Sequence, residues 1–141
     1  SLAMRETGAE AATDVTGFGL LGHLHRMLRA SGVSATIRAD AVPVLAGVLA
    51  LARSDVVPGG TKRNHAYVSP HVDWGGLTAP EQFVLADAQT SGGLLIAATD
   101  GDRTAEELGS RRVPFAEIGV TDGGPPGRIR AVGRLEDGAG E

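Results

Sequence analysis

ATDVTGFGLLGH, residues 12–23, contains the strongest structural signal in the chain. Residues 11–15 predict a short strand, and the apolar residues after them recur at spacings of three and four, which predicts a helix over residues 17–31. Thr16 is expected to cap the start of this helix and Gly32 to end it. Such a junction can direct backbone N–H groups and a carboxylate at one phosphate–metal ligand, because glycine permits close approach and a helix start carries unpaired donors.

Asp14 is the best candidate for a metal ligand. It ends the predicted strand, and Mg²⁺ prefers one or two carboxylates together with phosphate oxygens and water. The competing interpretation is that Asp14 caps the following helix or balances its dipole. Its neighbours Thr16, Gly17 and Gly19 would contact phosphate through backbone or hydroxyl groups, or else cap the helix and allow it to pack closely on a sheet.

A second stretch, QTSGGLL at residues 89–95, has a similar set of residue types. Four of its residues can form a concave nest of N–H groups that binds an anion, namely Thr90, Ser91, Gly92 and Gly93. The alternative is a tight turn in which the hydroxyls bond local backbone. Residues 93–99 are an apolar run too short for a helix, which predicts a buried strand.

A third stretch, PGGTKRN at residues 58–64, lies in a segment, residues 55–77, that is predicted to be long and irregular. Such loops inside a compact domain are uncommon and often functional. Lys62 and Arg63 beside two glycines would suit a phosphate, Asn64 could orient it, and Thr61 is a further phosphate-proximal candidate of this stretch. The alternative is a solvated loop tip.

The remaining elements predict one α+β domain with an α/β-like alternation, in which helices pack on a mixed sheet. They are a helix tail at residues 1–10, a strand at 33–38, helices at 44–54, 78–87 and 102–112, and strands at 115–121 and 127–132 that pair with each other. The helix at residues 78–87 is expected to begin at a capping box, Thr78 to Glu81, and the helix at residues 102–112 to be capped by Asp102. Residues 136–141 are expected to fray.

Composition excludes several classes of function. The 141 residues carry a net charge of −4 with scattered basic residues, so no nucleic-acid or anionic-membrane partner is expected. No apolar run approaches the roughly 20 residues of a membrane span and no signal peptide is evident, so a cytoplasmic location is expected. The chain has no cysteine. The four histidines lack zinc-site spacing, and His65 and His71 are expected in a flexible loop.

The quoted stretches closely resemble the C-terminal domain of the selenophosphate synthetase (selenide, water dikinase) family. That family belongs to the ATP-binding superfamily of aminoimidazole ribonucleotide synthetase and thiamine-monophosphate kinase. The resemblance extends from AMRETGAEAATDVTGFGLLGH through SGVSATI, PGGTKRN and QTSGGLL to AEIGVTDG. Ala88 departs from the pattern, which has proline at this position.

The resemblance implies that residues 1–141 are the C-terminal domain of a two-domain enzyme that makes selenophosphate, AMP and orthophosphate from ATP, selenide and water. It implies Mg²⁺ as cofactor, with Asp14 at the family's ligand position, and a homodimer. The family's reactive Cys or selenocysteine and its Lys lie in the N-terminal ATP-binding half, so no catalytic residue is expected here and the isolated chain is predicted to be inactive. The alternatives are a non-catalytic phosphate-binding or assembly module, or a domain of a sibling enzyme.

Overall fold

A computed structural model describes residues 8–138, within which six strands and five α-helices form an α+β domain. The strands are β1 (Ala9–Asp14), β2 (Ser34–Arg38), β3 (Val72–Asp73), β4 (Leu94–Ala98), β5 (Gly119–Asp122) and β6 (Ile129–Val132). The helices are α1 (Gly19–Ser31), α2 (Val48–Arg53), α3 (Gly59–Val68), α4 (Ala79–Leu85) and α5 (Gly101–Ser110). None of them is long and apolar enough to cross a membrane.

The main sheet is mixed, as predicted, and has the strand order β3-β6-β2-β5. β2 pairs with β6 in parallel and with β5 in antiparallel orientation. The predicted pairing of the last two strands with each other is therefore wrong. The physical reason is burial: the parallel register places Ile129 and Ala131 of β6 beside the buried Ala35 and Ile37 of β2. β1 and β4 form a separate antiparallel pair.

Helix α1 covers the main core with a stripe of apolar side chains. Leu21, Leu24 and Leu28 are almost completely buried, in agreement with the predicted period of three and four. Gly32 ends the helix in the left-handed conformation, with φ of 72°, as predicted. The predicted start is wrong, because Phe18 and not Thr16 occupies the cap position.

The prediction of an irregular segment over residues 55–77 is also wrong. It contains α3, a 3₁₀ turn at Ser69–His71 and the short strand β3. Helix α3 is mostly polar and has a weak apolar pattern, so its stability depends on tertiary contacts of its two buried residues, Thr61 and Val68. His65 and His71 consequently lie on ordered elements.

Several predicted boundaries at the two chain ends need correction. Residues 1–7 lie outside the described part, and Ala9 already belongs to β1 instead of a helix. At the other end, Asp137 Oδ1 accepts hydrogen bonds from the N–H groups of Gly47 (3.1 Å) and Leu49 (3.4 Å). Asp137 thereby caps α2 across the fold, so the expected fraying does not extend to this residue, and residues 139–141 lie outside the described part.

Local capping signals were of mixed value. The capping box of Thr78 and Glu81 is present, as predicted. Helix α5 is capped by Asp100, which accepts from the N–H of Arg103, and not by Asp102. The strand predicted over residues 93–99 exists, but it is only partly buried: Leu95 faces the core whereas Leu94 is 53% exposed.

Candidate functional site

The strand pair β1–β4 brings the two glycine-rich stretches to the same place. Asp14 and Leu94 are partners in the register, and just beyond them the N–H of Val15 donates to the carbonyl of Gly93 at 2.9 Å. The N–H of Gln89 donates to the carbonyl of Thr16 at 3.1 Å. Residues 14–19 and 86–93 therefore form one surface, which we call the two-loop site.

Two glycines permit the close contact between these loops. A Cβ on Gly92 would lie 2.0 Å from the carbonyl oxygen of Val15, a distance that no side chain tolerates. Gly19 has φ of 71°, and a Cβ there would lie 2.5 Å from the carbonyl oxygen of Ala86. Gly17 and Gly93, in contrast, have open space at the Cβ position.

Two side chains of helix α3 form hydrogen bonds with the two-loop site. The hydroxyl of Thr61, which is 1% exposed, donates to the carboxylate of Asp87. Asn64 Nδ2 donates to the carbonyl of Gly17 (2.8 Å) and to that of Ala86 (3.1 Å), so one amide bridges both loops. The structure thus gives Thr61 and Asn64 a clear role in holding the loops, whereas contact of either with phosphate stays a prediction.

Lys62 lies apart from these two residues. Its Nζ is 3.5 Å from a carboxylate oxygen of Asp55, and both side chains are exposed. An exposed pair of this kind contributes little to stability. Contact of Lys62 with phosphate stays a prediction.

Asp14 lies at the end of β1 with an exposed side chain. Because α1 begins at Gly19 with Phe18 as its cap, Asp14 does not cap this helix, and that part of the competing interpretation is wrong. Within residues 8–138, no group of three His, Asp or Glu side chains is arranged to hold a metal ion. A single carboxylate still fits Mg²⁺, which takes its other oxygens from phosphate and water.

The residues expected to contact phosphate are accessible on the second loop. Thr90, Ser91, Gly92 and Gly93 are all exposed, and none belongs to a helix or strand. On the first loop, Thr16 and Gly17 are exposed, whereas Gly19 is buried against the backbone of Ala86 and Asp87, just after α4. An anion could reach hydroxyl and backbone groups of both loops, with Asp14 beside them.

The contact of His23 with the first loop was not predicted from the sequence, in which the histidines were candidates only for a metal site. His23 Nε2 accepts a hydrogen bond from the N–H of Thr16 (3.1 Å) and lies 3.0 Å from the Thr16 hydroxyl. Burial and, next, the charge of Arg26 lower the pKa of His23, while Asp14 opposes the shift. The position of His23 in the sequence could have indicated this contact, because His23 lies one turn inside the helix that follows the loop.

The chain is similar to a known protein family and to several known enzymes. Residues 1–132 match the family model described as AIR synthase related protein, C-terminal domain. The chain is 47% identical over 126 residues to a selenide, water dikinase of Myxococcus xanthus (strain DK1622). This alignment covers 87% of this chain and 36% of the relative. A selenide, water dikinase of Carboxydothermus hydrogenoformans is 44% identical over 123 residues, covering 85% of this chain and 36% of the relative.

The match to a third selenide, water dikinase, from Burkholderia pseudomallei (strain K96243), is 41% identical and covers 94% of this chain. The chain spans about a third of the length of these curated relatives, 34% in the last case. Among solved structures, thiamine monophosphate kinase from Aquifex aeolicus aligns with a TM-score of 0.47 and 16% identity, covering 94% of this chain and 34% of that chain.

Proposed function

We propose, because the chain belongs to the family of AIR synthase related protein C-terminal domains, that it is the C-terminal domain of a selenide, water dikinase. The parent enzyme would make selenophosphate, AMP and orthophosphate from ATP, selenide and water. The observation that carries this proposal is the identity of 41–47% to proteins of that name over 85–94% of the chain. The relatives are kinase-type enzymes, which suits a site built around phosphate.

In this proposal the two-loop site forms part of the wall around the phosphates of ATP. Thr16, Gly17, Thr90, Ser91 and Gly93 would contribute hydroxyl and backbone donors, and their exposure supports that role. Gly19 and Gly92 would act by keeping the loops close together, as their contacts indicate. Phosphoryl transfer depends mainly on positioning and on neutralisation of charge, and both demand such a preorganised surface.

Asp14 would be the ligand that this domain offers to Mg²⁺. When bound, the ion would neutralise charge on the transferring phosphate. The single exposed carboxylate next to a surface of hydroxyl and N–H groups supports the assignment, since it leaves room for phosphate oxygens in the remaining positions. Further carboxylate ligands would come from a preceding half of the parent protein.

That preceding half would also supply the reactive Cys or selenocysteine and the Lys of the family, because this chain contains no cysteine. It would form the homodimer contact, and the parent would be cytoplasmic. The isolated chain would consequently have no catalytic residue of its own. It would bind Mg²⁺–ATP no better than roughly millimolar, since one carboxylate and a few N–H groups make a weak site.

A domain graft tests the proposal. The chain replaces the matching segment of the Myxococcus xanthus enzyme, and selenide-dependent formation of AMP from ATP is followed by chromatography. We expect the graft to be active and the 141-residue chain alone to be inactive. A graft that unfolds cooperatively and binds ATP but makes no AMP with selenide would refute the assignment, and activity of the chain alone would refute the two-domain arrangement.

A further inference from the structure

We propose that the outer face of α1 carries a second anion site, which binds a phosphate dianion in a pocket separate from Asp14. The pocket measures about 430 Å³ and is lined by His25, Arg26, Arg29, Ala30 and Tyr67. We call it the basic pocket. The inference goes beyond the proposed function and does not depend on it, because it concerns different side chains and needs no nucleotide.

One residue that lines the basic pocket, His25, belongs to a pair of stacked imidazoles. His25 is 2% exposed, and its Nδ1 donates to the carbonyl of Gly127 at 2.8 Å, because a carbonyl oxygen can only accept. The ring of His71 stacks on it with centroids 4.0 Å apart and an interplanar angle of 14°. Tyr67 meets the His25 ring edge-on at 6.1 Å. These contacts hold the His25 ring in one arrangement.

Two arginines line the basic pocket, and a third, Arg128, lies near the stacked His71. Arg26 and Arg29 lie three residues apart on α1, so they share one side of the helix. Arg128 approaches from the start of β6, where one of its guanidinium nitrogens donates to the carbonyl of Pro70 at 2.9 Å. Within the described residues 8–138, no carboxylate lies within salt-bridge distance of any of these three arginines.

This concentration of positive charge is local, since the whole chain has a net charge of −4. Its effect is visible on His71, whose pKa is lowered by burial and then by the neighbouring His25, Arg128 and Arg29. Like charges held together destabilise the fold, and a bound anion would relieve that repulsion. Binding of an anion should therefore raise the pKa of His71.

Phosphate is the ligand class that these groups fit best. A guanidinium presents N–H donors in a planar fork that matches two phosphate oxygens, and two such forks border the basic pocket. The Tyr67 hydroxyl, on a half-exposed side chain, offers a further donor. Arg26 also stands 4.7 Å above the ring of Phe18, so the basic pocket adjoins the two-loop site at this one residue.

The test is a titration of the 141-residue chain with inorganic phosphate at constant ionic strength, followed by NMR of the histidine ring protons and arginine side chains. We expect phosphate to shift the Arg29 signals and to raise the pKa of His71. Arg29→Gln should weaken phosphate binding about tenfold, because a charge-assisted fork is lost. Arg53→Gln, at an exposed arginine on α2, is the matched control and should bind like the unsubstituted chain.

A parallel titration with AMP identifies the source of the phosphate. Competition between AMP and inorganic phosphate for the Arg29 signals would extend the site to phosphate monoesters, and binding of phosphate alone would restrict it to the free ion. The proposal is overturned if chloride at equal ionic strength reproduces the shifts, or if Arg29→Gln and Arg53→Gln bind phosphate equally well.

Discussion

The N–H of Thr16 donates a hydrogen bond of 3.1 Å to Nε2 of His23, so the imidazole lone pair holds the loop that follows Asp14. Only an unprotonated nitrogen can accept this bond, and His23 is therefore neutral with its proton on Nδ1. Burial of the ring and the charge of Arg26 favour the same state. The geometry of the first loop is thereby coupled to the protonation state of His23.

The first prediction concerns pH. Because the pKa of His23 is lowered in the folded protein, the unfolded chain binds more protons as pH falls below about 6.5, and His23 then destabilises the fold. The contribution of the neutral His23 to the free energy of unfolding is favourable above that pH and is lost below it. His23→Gln keeps an acceptor that does not titrate. We expect the difference in melting temperature between the two proteins to change between pH 7.5 and pH 5, whereas parallel curves would contradict the coupling.

The second prediction separates ligand and structural roles of Asp14. In the grafted enzyme, Asp14→Asn removes a charge that Mg²⁺ requires but no contact that caps α1, so turnover should fall by about 10²-fold or more with melting unchanged. Raised Mg²⁺ should restore part of the rate. Asp55→Asn is the control, since the exposed carboxylate of Asp55 pairs with the exposed Lys62 within the described part of the chain. Near-normal turnover of Asp14→Asn at limiting Mg²⁺ would end the metal assignment.

The third prediction concerns the bridge from α3. Asn64→Ala leaves the carbonyls of Gly17 and Ala86 without their side-chain donor, so the free energy of unfolding should fall by about 1–3 kcal/mol. Lys62→Ala on the same helix should change it by less than about 1 kcal/mol, because its ion pair is exposed. Chemical denaturation measures both values. Equal losses in the two variants would show that the bridge is not the source of stability.

The fourth prediction compares adjacent glycines in the second loop. Gly92→Ala forces a methyl group against the carbonyl of Val15 and should separate the two loops, with a loss of about 1–3 kcal/mol. Gly93→Ala meets open space and should be tolerated. Thermal unfolding ranks the two, and activity of the corresponding grafts should follow the same order. A stable, fully active Gly92→Ala protein would show that the close contact is dispensable.

The fifth prediction concerns acid. Burial of Glu81 alone would raise its pKa, but hydrogen bonds from Arg134, Thr78 and the N–H of Leu135 lower it to about 2. The stabilisation of the fold by ionised Glu81 is therefore present above pH 4.5 and is lost as pH falls towards 2. The free energy of unfolding changes by about 3 kcal/mol over this range. Glu81→Gln should remove this acid sensitivity, whereas Glu106→Gln, at an exposed carboxylate, should retain it. Denaturation series between pH 6 and pH 2 measure the difference.

Much of the local structure was encoded by residues close together in the chain. The spacing of Leu21, Leu24 and Leu28 predicted α1, and Gly32 and the Thr78–Glu81 box marked a helix end and a helix start. These signals work because helix periodicity and capping depend on neighbours within one or two turns. The residue types of the two glycine-rich stretches also marked each as a candidate anion site, whereas their contact with each other is known only from the structure.

Tertiary structure alone decided where those elements lie. The stability of the polar helix α3 depends on burial against the core. The position of β2 between β5 and β6 and the capping of α2 by Asp137 depend on partners 82 to 94 residues away. The same is true of Asn64, whose bond to Gly17 spans 47 residues. The residues near each of these positions in the sequence do not identify such partners. Distant segments become buried against each other and form hydrogen bonds only once the chain has folded.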